Sequence, residues 1–412
     1  MAALTLRDAR AHVLASCREP LGLESVGLFD AHGRVLGEDV VSAGPWPATD
    51  RSAMDGFAVR AGDAGLPAGT RCDVVGQSLA GSPFAGELPA GAAIRIMTGA
   101  VVPAGADAVV PVENTSGFQS SPVTLQAQVR RGQNVRPLGS ELAAGQRVLV
   151  RGDRVGAAAI GVLAVLGRTN VAVVRRPRVA IVATGDEVVP VETVPLPHQV
   201  RESNSWATAA QVRECGGEPW RLGVAPDEPV ALRRLLQEGL DGADVLVTIG
   251  GISKGTHDLV HGTLREIGVR TEFHGIDLKP GKPTYFGTRS TARGARWIFG
   301  LPGNPASAFT VFDLLVRPLL VAVCGGEPGE LIAAARAGGS PWVTNSRLQA
   351  VPARARVAAD GSFVADLAPA SPSGDPFGLL HRDGYVLVPN QAPWGDGVLV
   401  PFVGGSGGLA LP

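Results

Sequence analysis

Short apolar runs alternate with amphipathic stretches over residues 178–324, and this alternation predicts the core of the fold. The apolar runs have the length of buried strands, whereas the amphipathic stretches repeat their apolar positions every three to four residues, as helices do. The predicted strands are 179–182, 220–224 and 245–249, with extended runs near 284–286 and 297–299, and the predicted helices are 204–215, one opened by Pro229, one from Leu259 and one over 305–323. The pattern predicts a doubly wound, mainly parallel α/β domain with helices on both faces.

The flanking sequence has a different pattern. Thr5 and Asp8 have the spacing of a helix cap, and an apolar stripe follows them. Further on, short apolar runs broken by glycine and proline indicate β modules. The predicted domains are an N-terminal helical and linking domain (1–43 and 147–176), an inserted mostly-β domain (44–146), the α/β domain (177–326) and a C-terminal β domain (330–412). The predicted fold class is therefore α/β with additional mostly-β modules.

The composition is that of a soluble globular protein. Of the 412 residues 45% are hydrophobic and 18% charged, and the formal net charge of −1 gives no sign of a nucleic-acid or membrane surface. The four cysteines form no CxxC pair, which argues against a zinc ribbon and fits a reducing cytosol. The N-terminus lacks the apolar run of a signal peptide, and we expect no segment long enough to span a bilayer. We therefore expect a cytoplasmic protein that binds neither nucleic acid nor membrane.

The glycine-rich loop at residues 248–258 is a candidate for ligand binding. It lies between a predicted strand and a predicted helix, and the backbone N–H groups at such a helix start are unpaired. Gly250 and Gly251 let the main chain approach a ligand, Lys254 adds positive charge, and Asp258 can cap the helix or hold a cation. The loop is predicted to bind an anionic, phosphorylated ligand.

The segments that follow the predicted strands should share one edge of the sheet, because ligands of open α/β sheets bind outside the carboxyl ends of the strands. These segments are 184–187, 226–228, 250–258, 279–282 and 301–305. They bring acidic groups (Glu187, Asp227, Asp258) and cationic groups (Lys279, Lys282) to one crevice. Since carboxylates hold Mg²⁺ while lysines and amide groups hold phosphate, the sequence predicts a phosphorylated ligand with a bridging divalent cation.

Each segment also has a structural interpretation. Asp227 and Asp258 each precede a predicted helix and can simply cap it, and Glu187 can be a solvated turn residue. The glycine pair can serve close strand–helix packing, and the two lysines can belong to an exposed turn. His257 and His261 have the spacing of a metal pair on a helix, but no third ligand is near them in sequence, so surface histidines are favoured.

Several short stretches, taken in order, resemble motifs of one known family. They are 52–59, Arg95-Ile96-Met97-Thr98-Gly99-Ala100, Asn134-Val135-Arg136, 183–187, Gly250-Gly251-Ile252-Ser253, 279–283 and 300–305. Together they make the chain similar to the MoeA family, the molybdopterin molybdenumtransferases, which includes the C-terminal domain of gephyrin. The resemblance covers about residues 1–326 and weakens beyond them.

The resemblance implies both a reaction and an assembly. Adenylylated molybdopterin and molybdate would give molybdenum cofactor and AMP, with a divalent cation such as Mg²⁺. The family's protomer is elongated and four-part, and it forms a homodimer in which residues of the β modules approach the crevice from the partner. Contacts with molybdopterin adenylyltransferase and with molybdoenzymes would follow from the same role.

The resemblance also assigns residues, motif by motif. The implied catalytic residues are Asp55, Thr98, Glu187, Asp227 and Asp258, of which Asp227 and Asp258 would hold the metal. The implied substrate-binding residues are Gly250, Gly251, Ser253, Lys279, Lys282, Pro302, Asn304 and Ser307. Ser253 would lie at the pyrophosphate, and Lys279, Lys282 and Ser307 near the molybdate oxyanion. In the C-terminal module, Arg356 and Ser373 would be the counterparts of the family's oxyanion contacts.

Two stretches depart from the family's pattern. Lys254-Gly255-Thr256 stands where the family has Val-Gly and then an acidic residue, and Gly139-Ser140-Glu141 stands where it has Gly-Glu-Asp. Because of these departures, one alternative to an active insertase is a catalytically weakened paralogue that binds the pterin or a partner as a scaffold. The second alternative is a molybdopterin adenylyltransferase, an enzyme that shares the α/β domain. The long additional modules argue against this alternative.

The Asp258→Asn variant should fold normally and lose turnover, because the substitution removes the charge implied at the cation. Release of AMP from adenylylated molybdopterin in the presence of molybdate and Mg²⁺ measures this. Unchanged activity would remove Asp258 from the mechanism.

Overall fold

The computed structural model describes residues 4–252, 259–328, 332–369 and 371–405, and the chain forms two compact units. The first unit comprises Met1–Glu38, Gly152–Gly161 and Thr169–Pro412, and the second comprises Asp39–Arg151 and Val162–Arg168. The predicted class, α/β with additional β modules, is confirmed. The predicted four-part domain division stays a prediction.

The elements follow one another in the order of the chain. The first are α1 (Leu6–Ala15), β1 (Leu23–Gly27), β2 (Val40–Val41), β3 (Arg51–Ser52), β4 (Gly56–Val59), β5 (Arg71–Ser78), β6 (Ala92–Ile96), β7 (Ala108–Pro111), β8 (Val123–Thr124), β9 (Val135–Arg136), β10 (Arg147–Leu149), α2 (Ala157–Val165) and β11 (Asn170–Val174). The α/β segment contains β12 (Arg178–Thr184), β13 (Val188–Val189), β14 (Val200–Arg201), α3 (Asn204–Glu214), β15 (Glu218–Ala225), α4 (Pro229–Gly242), β16 (Val245–Ile249), α5 (Leu259–Glu266), β17 (Arg270–His274), β18 (Leu278–Lys279), β19 (Tyr285–Thr291), β20 (Gly294–Leu301), α6 (Pro305–Val311) and α7 (Arg317–Val323). The last strands are β21 (Ile332–Gly339), β22 (Leu348–Val357), β23 (Phe363–Leu367), β24 (Gly384–Val388) and β25 (Leu399–Gly404).

The second unit is built around a five-stranded sheet with the order β7-β4-β6-β5-β8. Alternate residues of its strands, such as Phe57 and Val110, are fully or almost fully buried in one of its two apolar clusters. Gly56 lies so close to β7 that a Cβ there would approach the carbonyl oxygen of Val110 to 1.9 Å. Only glycine therefore allows β4 and β7 to pair at this point.

The first unit is built around a six-stranded sheet with the order β15-β12-β16-β20-β19-β17. β15, β12, β16 and β20 run parallel, and an antiparallel hairpin of β19 and β20 leads to β17 at the edge. From β12 the chain goes first to β15 on one side and then to β16 on the other. The strand order thus reverses between β12 and β16, the position at which open α/β sheets bind ligands.

Helices cover both faces of this sheet, as the sequence predicts. Val179 and Ile181 of β12 pack with α1, α3, α6 and α7, while Ala180 and Val182 of the same strand pack with α4 and α5. The near-continuous apolar sequence of β12 follows from this burial on both sides. The predicted cap of α1 is confirmed, because the Asp8 backbone N–H donates to Thr5 Oγ1 at 3.1 Å.

The helical stretch Pro305–Val323 corrects the expectation that no segment is long enough to span a bilayer. It has 19 residues and a mean hydropathy of 1.8, but 78% of its apolar window is buried inside the protein. It is a core helix of the first unit, and its apolar character comes from packing on the sheet. A π turn, Phe312–Val316, interrupts it just before Pro318, which has no N–H for the regular α-helical bond.

The C-terminal strands close into a small barrel. Their pairing order is β22-β23-β21-β25-β24, and β24 pairs with β22 to complete the ring. The interior contains Phe402, Val386 and other apolar side chains. β18 adds to the outside of this ring by pairing parallel with β22, Leu278 opposite Leu348 and Lys279 opposite Gln349. The segment that carries the two lysines is thereby hydrogen-bonded to the barrel.

A buried polar cluster around Asp313 joins the π turn to the barrel. The Asp313 carboxylate is fully buried and accepts hydrogen bonds from Gln211 Nε2 and the Tyr385 hydroxyl, both at 3.0 Å. The buried Arg382 guanidinium lies 3.0 Å from the same carboxylate. Every member carries polar atoms that would be costly to bury alone, so the cluster fixes how these elements meet.

The Asp313→Asn variant should lose about 3–5 kcal/mol of unfolding free energy, because it leaves the Arg382 charge buried without a counter-charge. Equilibrium unfolding in urea measures the loss. The matched control is Asp366→Asn, whose partner Arg356 is half-exposed, and which should cost less than about 1 kcal/mol. Equal losses in the two variants would contradict this account of the Asp313 cluster.

Candidate functional site

The loops after β12, β16 and β20 meet at the carboxyl edge of the sheet. The Gly250 N–H donates to the Leu301 carbonyl at 3.0 Å, and the Asn204 side-chain amide donates to the Gly303 carbonyl at 2.7 Å. An added Cβ at Gly303 would lie 3.7 Å from Gly250 Cα. The predicted shared edge is therefore present for these three loops.

Gly250 and Gly251 both have positive φ angles, +91° and +63°. A Cβ at Gly250 would come within 2.9 Å of the Thr184 carbonyl oxygen, and one at Gly251 within 2.6 Å of the Val260 side chain. Close packing alone thus requires both glycines. The same lack of side chains leaves the main chain accessible at the start of the loop. The remainder of the loop, with Ser253, Lys254, His257 and Asp258, lies outside the described residues.

Asp227 lies among acidic groups after β15. Its backbone N–H is 3.0 Å from Asp186 Oδ1, and its pKa is raised, first by burial and then by the charges of Asp186 and Glu187. The interpretation of Asp227 as the cap of α4 is wrong, because Glu228 caps that helix by accepting from the Val230 and Ala231 N–H groups. Asp227 is therefore available for another role, in a position where a cation would relieve the repulsion.

Few protein side chains at this edge of the sheet could bind a metal ion. Within the described residues, no group of three or more His, Cys, Asp and Glu side chains has the geometry of a metal site. Mg²⁺ does not require one, since it keeps several waters and uses one or two carboxylates together with substrate phosphates. The acidic group around Asp227 fits that kind of site.

The two predicted lysines face a cleft of about 600 Å³ between the sheet edge and the barrel. The cleft is also lined by Pro302, Asn304 and Ser307 from the loop after β20 and the start of α6, so the structure brings all five predicted residues together. They come from β18, the turn after it and the N-terminus of α6, where the helix dipole favours an anion.

The barrel supplies an arginine and two serines to this cleft. Arg347 lines it and donates to the Leu278 carbonyl at 3.0 Å, and Ser371 and Ser373 also line it. Ser373 Oγ accepts from the Asn304 amide at 2.9 Å.

Of the two predicted oxyanion contacts in the barrel, Ser373 lies in the cleft and Arg356 does not. Arg356 forms an ion pair with Asp366, and neither residue is among those that line the cleft. Sequence reasoning missed Arg347, and only the pairing of β22 with β18 beside it would have indicated it.

Asp55 and Thr98 form a hydrogen-bonded pair in the second unit. Asp55 Oδ1 accepts from the Thr98 N–H at 2.6 Å and from its hydroxyl at 2.7 Å, and these bonds lower the pKa of Asp55. The carboxylate is exposed and stays ionised. Two stretches about forty residues apart in sequence are thus joined at the residues that the resemblance singled out.

His261 packs against two other rings of the first unit. Its ring centroid lies 5.1 Å from that of His274 and 5.5 Å from that of Tyr285. His274 Nε2 in turn lies 2.9 Å from the Ile252 carbonyl oxygen, at the start of the glycine-rich loop. His261 is therefore half-buried and packed rather than a surface histidine, and His257 lies outside the described residues.

Comparison with known proteins gives a consistent result. The family described as the MoeA N-terminal region (domain I and II) matches residues 4–167, and a probable molybdopterin binding domain matches residues 180–322. The molybdopterin molybdenumtransferase of Haemophilus influenzae is 35% identical over 322 residues, covering 78% of each chain. That of Bacillus subtilis is 35% identical over 303 residues, covering 72% of this chain and 70% of its own.

A solved structure agrees over nearly the whole length. The molybdopterin biosynthesis MoeA protein of Pyrococcus horikoshii superposes with a TM-score of 0.81 at 30% identity, covering 98% of this chain and 99% of that one. The similarity in structure therefore extends into the C-terminal barrel, which lies beyond the residues matched by these two families.

Asp227→Asn should stabilise the first unit at pH 7 when a chelator is present. The raised pKa means that the folded state holds the proton more tightly than the unfolded chain, so ionisation of Asp227 destabilises the fold as pH rises. Below its ordinary pKa the side chain is neutral in both states, and the gain should vanish near pH ~3. Urea midpoints at the two pH values measure this.

The control for this measurement is Asp360→Asn in the same unit. Hydrogen bonds from Ser362 lower the pKa of Asp360, so its ionised form stabilises the fold and the variant should lose stability at pH 7. A loss of stability in Asp227→Asn would show that attractive contacts outweigh the repulsion.

Proposed function

Because the chain belongs to the MoeA family of molybdopterin molybdenumtransferases, we propose that it transfers molybdenum from molybdate into adenylylated molybdopterin and releases AMP. The product would be molybdenum cofactor. The observation that carries the proposal is the cleft between the sheet edge and the barrel, which brings Lys279, Lys282 and Ser307 together beside the strand-order reversal.

The chemistry of this cleft suits a tetrahedral oxyanion. Lys279 and Lys282 provide two ammonium groups, and Arg347, which donates to the Leu278 carbonyl beside Lys279, provides a guanidinium. Ser307 lies in the first turn of α6, where the helix dipole favours an anion. Molybdate would be held by charge and hydrogen bonds, without covalent attachment to the protein.

The pterin nucleotide would lie along the same edge, on the side of β12 and β16. Its pyrophosphate would meet the main chain at Gly250 and Gly251 and the loop residue Ser253. Asp227 and Asp258 would hold Mg²⁺, with Glu187 beside them, and the cation, when bound, would neutralise charge on the pyrophosphate. Pro302 and Asn304, which line the cleft together with the lysines, would orient the pterin end.

The protein's own residues would then act by position and charge. Two binding regions on one sheet edge hold the molybdate next to the dithiolene that is to receive the metal, so a bimolecular encounter becomes a reaction within one complex. Asp55 and Thr98, joined by two hydrogen bonds in the second unit, would act in the same reaction as a polar pair.

We propose further that the protein acts in the cytoplasm as a homodimer. It would receive its pterin nucleotide from a molybdopterin adenylyltransferase and deliver its product to molybdoenzymes. The family relationship supports these assignments, and the absence of a CxxC pair fits a reducing compartment.

Purified protein supplied with adenylylated molybdopterin, molybdate and Mg²⁺ should release AMP. In Lys282→Gln the KM for molybdate should rise about tenfold or more, since a charge-assisted contact is lost. The KM for the pterin nucleotide should change little, because Lys282 lies on the molybdate side. AMP chromatography at varied molybdate measures both.

The matched control is Arg354→Gln, which removes an exposed positive charge from the barrel outside the cleft and should leave both KM values unchanged. Tight binding of the pterin nucleotide by the wild-type protein without AMP release would overturn the proposal in favour of a scaffold protein. An equal rise in both KM values would separate Lys282 from molybdate binding.

A further inference from the structure

A second cleft of about 830 Å³ lies at the amino ends of the central strands. It is bordered by the residues after α1, by β17 and by the β19–β20 hairpin, and it includes Trp297, which pairs with Val245 at the start of β16. Five residues of β16 separate this end from Gly250, which corresponds to roughly 16 Å. The second cleft and the proposed reaction site therefore lie at opposite edges of one sheet.

The side chains of this cleft are strongly cationic. Two carboxylates, Glu19 and Glu272, line it together with a much larger set of guanidinium groups. Its arginines are Arg18, Arg175, Arg270, Arg289, Arg293 and Arg296. A protein with a formal net charge of −1 thus concentrates positive charge in one concave surface.

Part of this charge is neutralised within the protein. Arg175 forms two hydrogen bonds of 2.7 Å with Asp244, and Arg270 lies 2.6 Å from Glu272. Arg296 shares Asp244 at the longer distance of 3.8 Å. For Arg18, Arg289 and Arg293 the described residues provide no ion pair, and these three charges remain for a ligand.

Arg289 and Arg296 are an unusual pair, because they lie directly opposite each other on β19 and β20. Like charges in this position repel and destabilise an antiparallel pair. Arg296 is only 7% exposed, and its Nε is buried without a hydrogen-bond partner, as is Nη1 of Arg289. Such buried, unsatisfied donors are costly unless a ligand accepts from them.

We propose that this arginine cleft binds a small molecule that carries a di- or triphosphate group. Guanidinium groups pair in bidentate fashion with phosphate oxygens, and a multiply charged anion would relieve the Arg289–Arg296 repulsion and satisfy the buried N–H groups. The cleft is large enough for a nucleotide. The shared chemistry is the polyphosphate, whether free or attached to a nucleoside.

Titration with inorganic pyrophosphate in low-salt buffer tests this site in the full-length protein. The double variant Arg289→Gln/Arg293→Gln should lose one equivalent of bound pyrophosphate per chain, or bind it about tenfold or more weakly. Arg293→Gln alone, an exposed substitution, should show the same direction if the double variant does not fold. Arg234→Gln, an exposed arginine of α4 outside the cleft, is the matched control and should bind like wild type.

The outcomes separate this site from the proposed reaction site. AMP release should persist in the arginine variants, since none of these residues lies at the carboxyl edge. Parallel titration with ATP distinguishes a free polyphosphate from a nucleotide. If ATP binds more tightly than pyrophosphate, the cleft also recognises the nucleoside. Unchanged binding isotherms in both arginine variants would overturn the proposal. A change in oligomeric state, measured by sedimentation, without loss of pyrophosphate binding would also overturn it, because the cleft would then be an interface between chains.

Discussion

The main chains of β12 and β16 meet closely at their carboxyl ends, and the arrangement of the first unit depends on this contact. Residues 250 and 251 can have no side chains there, because a Cβ at either would collide with Thr184 or Val260. The contact fixes the point at which the strand order reverses, and it brings the loops after β12, β16 and β20 to one place. The acidic group around Asp227 joins the loop after β12, because the Asp227 backbone N–H donates to Asp186.

The cleft that contains Lys279 and Lys282, here called the lysine cleft, depends on a second constraint, the connection of the α/β segment to the barrel. β18 belongs to the barrel by its hydrogen bonds and to the α/β segment by its place in the chain. Asp313 and its buried partners hold the π turn against β24 in the same region. Neither the sheet nor the barrel has a complete oxyanion cleft of its own, since the first supplies Ser307 and the second supplies Arg347.

The sequence predicts well whatever depends on local pattern. The cap at Thr5 and the helices of the α/β segment follow from end signals and periodicity. The strands β12 and β16 are buried on both faces, and this burial leaves a continuous apolar run in the sequence. The sequence predicts the role of a residue less well where two neighbouring residues could both fill it. Asp227 and Glu228 both precede Pro229, and only the position of the first helical turn decides that Glu228 is the cap. Arg347 and Arg356 differ in role because of the register of one barrel strand, and β18 is too short to show any period. These are matters of tertiary contact, on which one sequence carries little information.

Because the two-residue strand β18 is hydrogen-bonded to the barrel, the width of the lysine cleft depends on the position of the barrel relative to the sheet. Lys279 is carried by the barrel's hydrogen-bond ladder, while Ser307 is carried by a core helix of the sheet. A change of a few tenths of an ångström in barrel position would alter the spacing of cationic and hydroxyl groups around a bound tetrahedral ion. The position of the whole barrel would then determine which oxyanion binds best among those of similar charge but different radius. Exchanging the barrel between relatives would transfer this preference.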